Sequence, residues 1–496
     1  MLAAVIGAGP VGCLTALGLV QRGYEVTLYE VRPEEAFLGA NIQTNAKSIN
    51  LAISTRGLTA LSSVDSRLAE EILDAAVPMR ARMIHPKPSS SSPRDIPPPQ
   101  SQLYSDKGQC INSVSRNLLN RRLLDEVMSK GVQVCWSHKL IKADLDGRTK
   151  RKEAESSSST TSAQDKIELI FDSPHEKGIH RTADLIVGCD GQHSKVRGQI
   201  GRATEMDFSQ RHIDNYYSEL HIPAKKNGDF ALDPNHLHIW PRQDFLLIAL
   251  ANKDKSFTST IFAPKRVYKD HFNDERRLLD FFNEEFPDVV DLIGIEHLTE
   301  DLLHRKPSPL SAIECNPYHF KGKAIILGDS AHAMVPFYGQ GLNCGLEDVR
   351  IMFELMDKHL EGSKEGRELV NSTDAHLNEA RERAFDEYSA TRYLDLVAIS
   401  QLALDNYQEM SSKVVSSTFL LRKKLDTLLS THLPDHWWDS LYSLVTFSNI
   451  GYHKAQQREN RQKHILNIIG FTSLATLSIG GPLLGYRIAK TFGWLR

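Results

Sequence analysis

Residues 3–30 read AAVIGAGPVGCLTALGLVQRGYEVTLYE, and the six residues Gly7 to Gly12 decide how the chain begins to fold. An apolar run, AAVI, precedes the glycines, and CLTALGLVQRG follows them as a predicted helix ending at Gly23. EVTLYE then makes a second strand that ends on an acid, Glu30, eighteen residues after Gly12. This strand–turn–helix–strand context turns a weak GxGxxG pattern into a dinucleotide site. Gly7 permits the tight turn, Gly9 lets a pyrophosphate approach the backbone, and Gly12 permits close helix–strand packing. The helix N-terminus favours the phosphates, and Glu30 is placed for ribose hydroxyls.

The rest of the chain bounds that reading. Its 496 residues exceed one ordinary core, and 41% hydrophobic with 24% charged residues is a globular composition. A net charge of −3 supplies no basic field for nucleic acid. The six cysteines show no CxxC and no metal-type pairing with His, so they read as reduced thiols, with no metal site expected. The N-terminal apolar run lacks a basic leader and is broken by glycine, which argues for a strand and against a signal peptide.

Two stretches, His85–Gln100 (Pro/Ser-rich) and Gly147–Lys166 (charged, then Ser/Thr-rich), read as surface insertions. Residues 213–263 are β-rich, with breaks at Pro241–Asp244 and Asn252–Lys255 that suit a meander. From about 346 to 463 the apolar spacing turns helical. Residues 465–486 then carry no charge, with Arg458, Arg461 and Lys463 before them and Arg487, Lys490 and Arg496 after. That length matches the ~20 residues of a membrane-crossing helix, and the basic flanks suit a tail anchor.

Two further motifs follow the glycine turn. In ADLIVGCDGQHSKVR (183–197) a strand ends at Gly188 and Asp190–Gly191 turn. In LGDSAHAMVPFYGQGLNCGLEDV (327–349) an acid, Asp329, stands at a strand end, followed by Gly339, Gly341 and the acidic pair Glu347 and Asp348. A dinucleotide on the glycine turn would extend past Asp329, which can accept from hydroxyls midway along it. Gly339 and Gly341 let backbone amides near Leu342 and Asn343 reach its far end, where a helix N-terminus adds positive potential. A ribityl chain and a ring that is charged when reduced fit both features, so FAD is favoured over NAD. His332 reads as a satisfied structural histidine rather than a base.

The order GxGxxG, DG, GD resembles the single-component FAD-dependent aromatic hydroxylases. KSINLAIS (47–54), PMRARMIH (78–85), LHIWPR (237–242), GDSAHAMVPFYGQGLNCG (328–345) and NYQEM (406–410) together are similar to the kynurenine 3-monooxygenase family. The resemblance implies an α/β fold: a Rossmann-type FAD-binding domain (1–60, 107–205, 310–360), an inserted β-sheet substrate domain (61–106, 206–309), a helical C-terminal region (361–463) and a hydrophobic tail helix (465–486). It implies FAD contacts at Val11, Tyr29, Glu30, Val31, Arg32, Ala52, Arg116, Leu140, Lys195, Asp329, Leu342 and Asn343. It implies L-kynurenine contacts at Arg82, Tyr104, Asn406 and Tyr442, with NADPH and O2 as co-substrates and the flavin rather than a protein nucleophile carrying the chemistry. It also implies a place in the mitochondrial outer membrane with the catalytic domain facing the cytosol. Tyr338 departs from the family, many members carrying Phe there. The insertion between Arg82 and Tyr104 must bulge outward if both face one pocket. The same motifs are compatible with a hydroxylase of another aromatic substrate, or with a non-catalytic membrane-tethered flavoprotein.

Overall fold

The computed structural model describes residues 1–38, 51–88, 97–105, 107–147, 166–361, 374–411, 417–433 and 437–468. Its first sheet has six strands in the order His319–Phe320, Ala324–Ile326, Leu185–Gly188, Leu2–Ile6, Glu25–Tyr29, Gln133–Cys135. All neighbours are parallel except the first pair. The central strands are near-continuous apolar runs because helices cover both faces of a parallel sheet; Val5, Leu185, Ile186 and Ile325 are fully buried. The helix Pro10–Gln21 opens with Pro at its start and Gly9 as N-cap, where a fixed φ and a missing N–H cost nothing.

The second sheet has seven strands, ordered Ser308–Asn316, Asp207–Ile222, Phe257–Ala263, Phe245–Ala251, His236–Arg242, Ala81–Ile84, Gln100–Leu103. Its middle is the meander foreseen from the sequence. The two breaks hold residues with positive φ, Gln243 and Lys255. Period-two alternation divides its faces. Trp240, Leu247, Ala249 and Ile261 pack against the helices of 265–303. Ile239, Leu246 and Phe262 face the other way, toward Val335 and Phe337.

The sheets do not divide where the sequence analysis puts the first boundary. Leu61, Val64, Leu68 and Ile72 pack in the first core, and Val77–Met79 pairs with Ile111–Val114. The chain enters the seven-stranded sheet only at Ala81, later than the boundary expected at 61. An amphipathic helix shows that it has a buried face, but not which sheet that face meets. Ala81–Ile84 pairs antiparallel with Gln100–Leu103, so the strands that flank the first insertion lie side by side, and Arg82 and Tyr104 return to one region. The interiors of the insertions, 89–96 and 148–165, lie outside the described residues.

Beyond the sheets run the helices Gly341–Glu361, Asp374–Ser411, Ser417–His432, Leu441–Thr446 and 452–468. Among the described residues no helix is long and apolar enough to cross a membrane. The tail helix expected at 465–486 falls, past Ile468, outside them.

Candidate active site

A cavity of ≈ 660 Å3 runs between the two sheets, from the glycine turn to the apolar face of the second sheet. Gly7, Gly9 and Val11 form one end. Gly7 has φ +104°, and a Cβ there would lie 2.3 Å from the Cys189 carbonyl oxygen. Gly12 does not line the cavity; a Cβ on it would come within 1.9 Å of the Gly7 carbonyl oxygen, so its bareness holds helix to strand. Glu30 is buried, and its carboxylate accepts from the backbone N–H of Ala8 (2.8 Å) and Arg32 (3.0 Å) and from Arg32 Nε (2.9 Å). It braces the glycine turn as well as lining the cavity. Tyr29, Val31, Arg32, Arg116, Leu140 and Lys195 complete this end.

The second and third motifs lock together. The Asp190 carboxylate accepts from Lys195 N (2.6 Å) and Ser330 Oγ (3.1 Å), while Gly191 N donates to Ser330 Oγ (2.9 Å). Arg197 Nη1 donates to the Ser330 carbonyl at 2.7 Å. The turn at Asp190 is therefore a clasp on the loop that carries Asp329. The Asp329 side chain is left exposed on the cavity wall.

At the far end, Ala52, Gly339, Gly341 and Leu342 line the cavity, but Asn343 does not. Its Nδ2 donates to the carbonyls of Ala52 (2.7 Å) and Gly339 (2.9 Å), and its Oδ1 accepts from Ser54 N (2.9 Å). The Asn343 side chain is thus committed to the protein, and the expectation at this position concerns its backbone amide. The side-chain amide splints two backbone segments, and a Cβ on Gly57 would strike its Oδ1 at 2.5 Å.

Glu347 and Asp348 point away from the cavity into a buried ion network. Arg56 Nη1 meets Glu347 Oε1 at 2.8 Å, Arg392 Nη2 meets Glu347 Oε2 at 2.9 Å, and Arg392 Nε meets Asp348 Oδ1 at 2.9 Å. His332 pairs with Asp348, which also accepts from Gly328 N at 3.0 Å. Burial alone would raise the Asp348 carboxyl, but His332 and Arg392 hold it below the usual carboxylate range. Arg56 Nε donates to the Val445 carbonyl at 2.7 Å, which ties in the C-terminal helices. His332, Cys344 and Asp348 come together here with metal-ligand chemistry, but Arg392 already lies against Cys344 Sγ (3.4 Å) and Asp348.

The opposite wall holds the expected substrate residues. Arg82 is buried, with Nη1 3.3 Å from Glu409 Oε1. Its guanidinium lies 4.7 Å from the Tyr442 ring centroid and 5.6 Å from that of Tyr104. Tyr104 and Tyr442 stack at 5.0 Å, and Tyr338, the family departure, stacks on Tyr442 at 5.9 Å. Tyr104 sits just behind the lining, its hydroxyl buried with no hydrogen-bond partner among the described residues. Burial pushes the Tyr104 phenol up. Asn406 lines the cavity, but its Nδ2 donates to the Phe337 carbonyl (2.7 Å) and to Met410 Sδ (3.3 Å). Sequence reasoning missed Glu409. The signal was present: NYQEM places Asn406 and Glu409 three apart, on one helix face. It also missed the apolar ceiling of Leu237, Leu246, Ile248 and Phe262, since alternation does not say which face meets a ligand.

A family model described as FAD binding domain matches residues 2–387. Among solved structures, 2-methyl-3-hydroxypyridine-5-carboxylic acid oxygenase superposes with a TM-score of 0.59 at 17% identity, over 84% of this chain and 95% of that one. Pseudomonas aeruginosa PqsL in complex with 2-aminobenzoylacetate gives 0.62 at 15%, over 84% and 98%. Fold and site thus define an FAD-binding protein, and the curated relatives make it an FAD-dependent monooxygenase, an oxidoreductase. Kynurenine 3-monooxygenase of Candida albicans is 42% identical over 480 residues, 96% of this chain and 95% of that protein. The Saccharomyces cerevisiae enzyme is 42% identical over 486 residues, 96% of each. The chain belongs to the kynurenine 3-monooxygenase family.

Proposed function

We propose that the protein hydroxylates L-kynurenine to 3-hydroxykynurenine with NADPH and O2, a step of tryptophan degradation and de novo NAD synthesis. One observation carries the reading: a single cavity joins the dinucleotide cradle to buried Arg82, itself paired with half-buried Glu409, beneath an apolar sheet face. FAD fits the cradle, because a Cβ on Gly9 would stand in the open space of the cavity, where Gly9 leaves the backbone bare, and Arg32, Arg116 and Lys195 on the same wall supply cations for a diphosphate. When bound, FAD supplies the redox and oxygen-activating chemistry.

The chain's own residues bind, orient and keep water out. Arg82 holds the substrate carboxylate by charge-assisted bonds, backed by the Tyr104 ring behind the lining. Glu409 beside Arg82 is placed for the ammonium of the same amino acid. Tyr442 packs along the substrate's chain, and the Asn406 donors fix the Phe337 backbone under the ring. Leu246, Ile248 and Phe262 exclude water from the reacting ring, which suppresses unproductive reoxidation. The chain carries one GxGxxG turn, at Gly7–Gly12, so NADPH visits the cleft without a dinucleotide domain of its own. The decisive experiment incubates purified protein with kynurenine, NADPH and O2. A product one oxygen heavier supports the reading; substrate-independent NADPH oxidation with no such product overturns it.

Asp329 holds FAD hydroxyls in this scheme. Asp329→Ala is expected to lose about 1.5 kcal/mol, roughly tenfold in FAD affinity, measured by flavin titration of the apoprotein. Full flavin occupancy and unchanged affinity would remove Asp329 from the site.

The same reading includes a tail anchor at 465–486 in the mitochondrial outer membrane, with the catalytic part facing the cytosol. It is supported by the charge-free stretch and its basic flanks. Removing the residues after Lys463 is expected to shift the protein to the soluble fraction. A shortened protein that still pellets after a carbonate wash would rule the anchor out.

A further inference from the structure

We infer that the helix Ser417–His432 and Trp437 form a second membrane contact, a face that lies on an anionic bilayer surface beside the tail. The inference rests on the tail-anchor reading only for bringing the chain to a bilayer. Leu421, Leu425 and Leu428 recur at i, i+4 and i+7, which at 3.6 residues per turn places them on one narrow stripe. That stripe faces solvent: the three are 61%, 38% and 54% exposed. Trp437, just past the helix, is 74% exposed.

The packing of this helix explains why the stripe is left outside. Arg422 and Asp426 form an i, i+4 pair at 2.9 Å, and Arg422 reaches Glu459 on the helix 452–468 at 3.6 Å. Trp438 is buried and donates to Asp426 Oδ1 at 2.9 Å. The polar face of 417–432 therefore docks on the protein through ion pairs, and the leucines point outward. In a soluble protein the reverse arrangement is the norm, so an outward apolar stripe marks a contact.

Three observations identify the occupant as lipid. The helix 452–468, onto which 417–432 packs, exposes Ile465 (38%) and Ile468 (50%) and leads directly into the charge-free stretch. Lys424 is exposed, as are Lys454, Arg458, Arg461 and Lys463 on the neighbouring helix, a basic set that complements anionic headgroups. An exposed Trp beside a leucine stripe with flanking cations is the composition of an interfacial helix. Such a contact would orient the catalytic body on the membrane, which a single tail helix leaves free to swivel.

The test uses the full-length flavoprotein reconstituted in vesicles of phosphatidylcholine and phosphatidylserine that contain brominated phosphatidylcholine. Bromine quenches tryptophan within the bilayer. The difference in emission between wild type and Trp437→Phe isolates Trp437 from the other tryptophans. Trp437 emission is expected to be quenched in the wild type. Quenching should be lost in L421E/L425E/L428E, whose kynurenine-stimulated NADPH oxidation in detergent stays at the wild-type level. Carbonate resistance of the same vesicles reports the tail separately, so failure of the anchor and failure of this face are distinguishable. Unquenched Trp437 in the wild type overturns the inference, with a second copy or the tail itself covering the stripe. Quenching that survives the triple substitution overturns it too.

Discussion

Arg392→Met lowers the stability of the folded protein by about 3–5 kcal/mol, the cost of removing one partner from a buried ion network. Arg392 is 1% exposed at its side chain and bridges Glu347 and Asp348, both as deeply buried. Methionine fills much of the volume but removes the cation shared by the two carboxylates, leaving Glu347 to Arg56 and Asp348 to His332. The measurement is the urea or thermal unfolding midpoint at saturating FAD, followed by tyrosine and flavin signals. Arg56→Met should be nearly as severe, because Arg56 meets the same Glu347 and donates to the Val445 and Leu444 carbonyls. A shift of only a few tenths of a kcal/mol would mean that the network is hydrated in solution. The same core sets acid sensitivity. The Asp348 carboxyl is held low in the fold, so its contribution is present above the unfolded carboxylate value of about 3.9 and is lost as pH falls through the lower folded one. Acid unfolding is therefore expected below about pH 4. In Asp348→Asn, less stable at neutral pH, that part of the acid dependence should disappear.

Arg82→Met weakens kynurenine binding by about 10- to 150-fold, from the loss of a charge-assisted pair of about 1.5–3 kcal/mol. Flavin content should remain normal. Substrate-stimulated NADPH oxidation should fall with binding, because a ring without its anchor does not settle beneath the apolar ceiling. Arg80→Met is the control: Arg80 is exposed and does not line the cavity. A kynurenine titration of both variants decides the matter. Should Arg80→Met lose affinity and Arg82→Met keep it, the substrate has been anchored to the wrong arginine. Glu409→Gln adds a second axis, since it removes the anion beside Arg82 while preserving shape. It is expected to weaken kynurenine more than a deaminated analogue that lacks the ammonium, and equal losses for the two would deny Glu409 that role.

Much of this site is legible along the chain because its signals are local. The glycine turn, its helix and Glu30 fall within one supersecondary unit, and the geometric demand for a bare backbone at Gly7 and Gly12 is written in residue type. The meander read at 213–263 is legible for the same reason, since alternation and breaks are short-range patterns, although its first strand begins earlier, at Asp207. The family resemblance adds the residues at the ends of such patterns, and nearly all of those expected at the cofactor end line one cavity.

What the tertiary structure alone decided concerns partners distant in sequence. The sequence points to the Asn343 backbone amide, but that its side chain splints Ala52 and Gly339 depends on segments distant in the chain. Glu347 and Asp348 follow the glycines as an acidic pair with no partner legible nearby, and the helix turns them toward Arg56 and Arg392, 291 and 44 residues away. Arg82 acquires Glu409 across 327 residues. Residue type establishes that a buried charge must be matched, but only the packing of sheets and helices chooses the match.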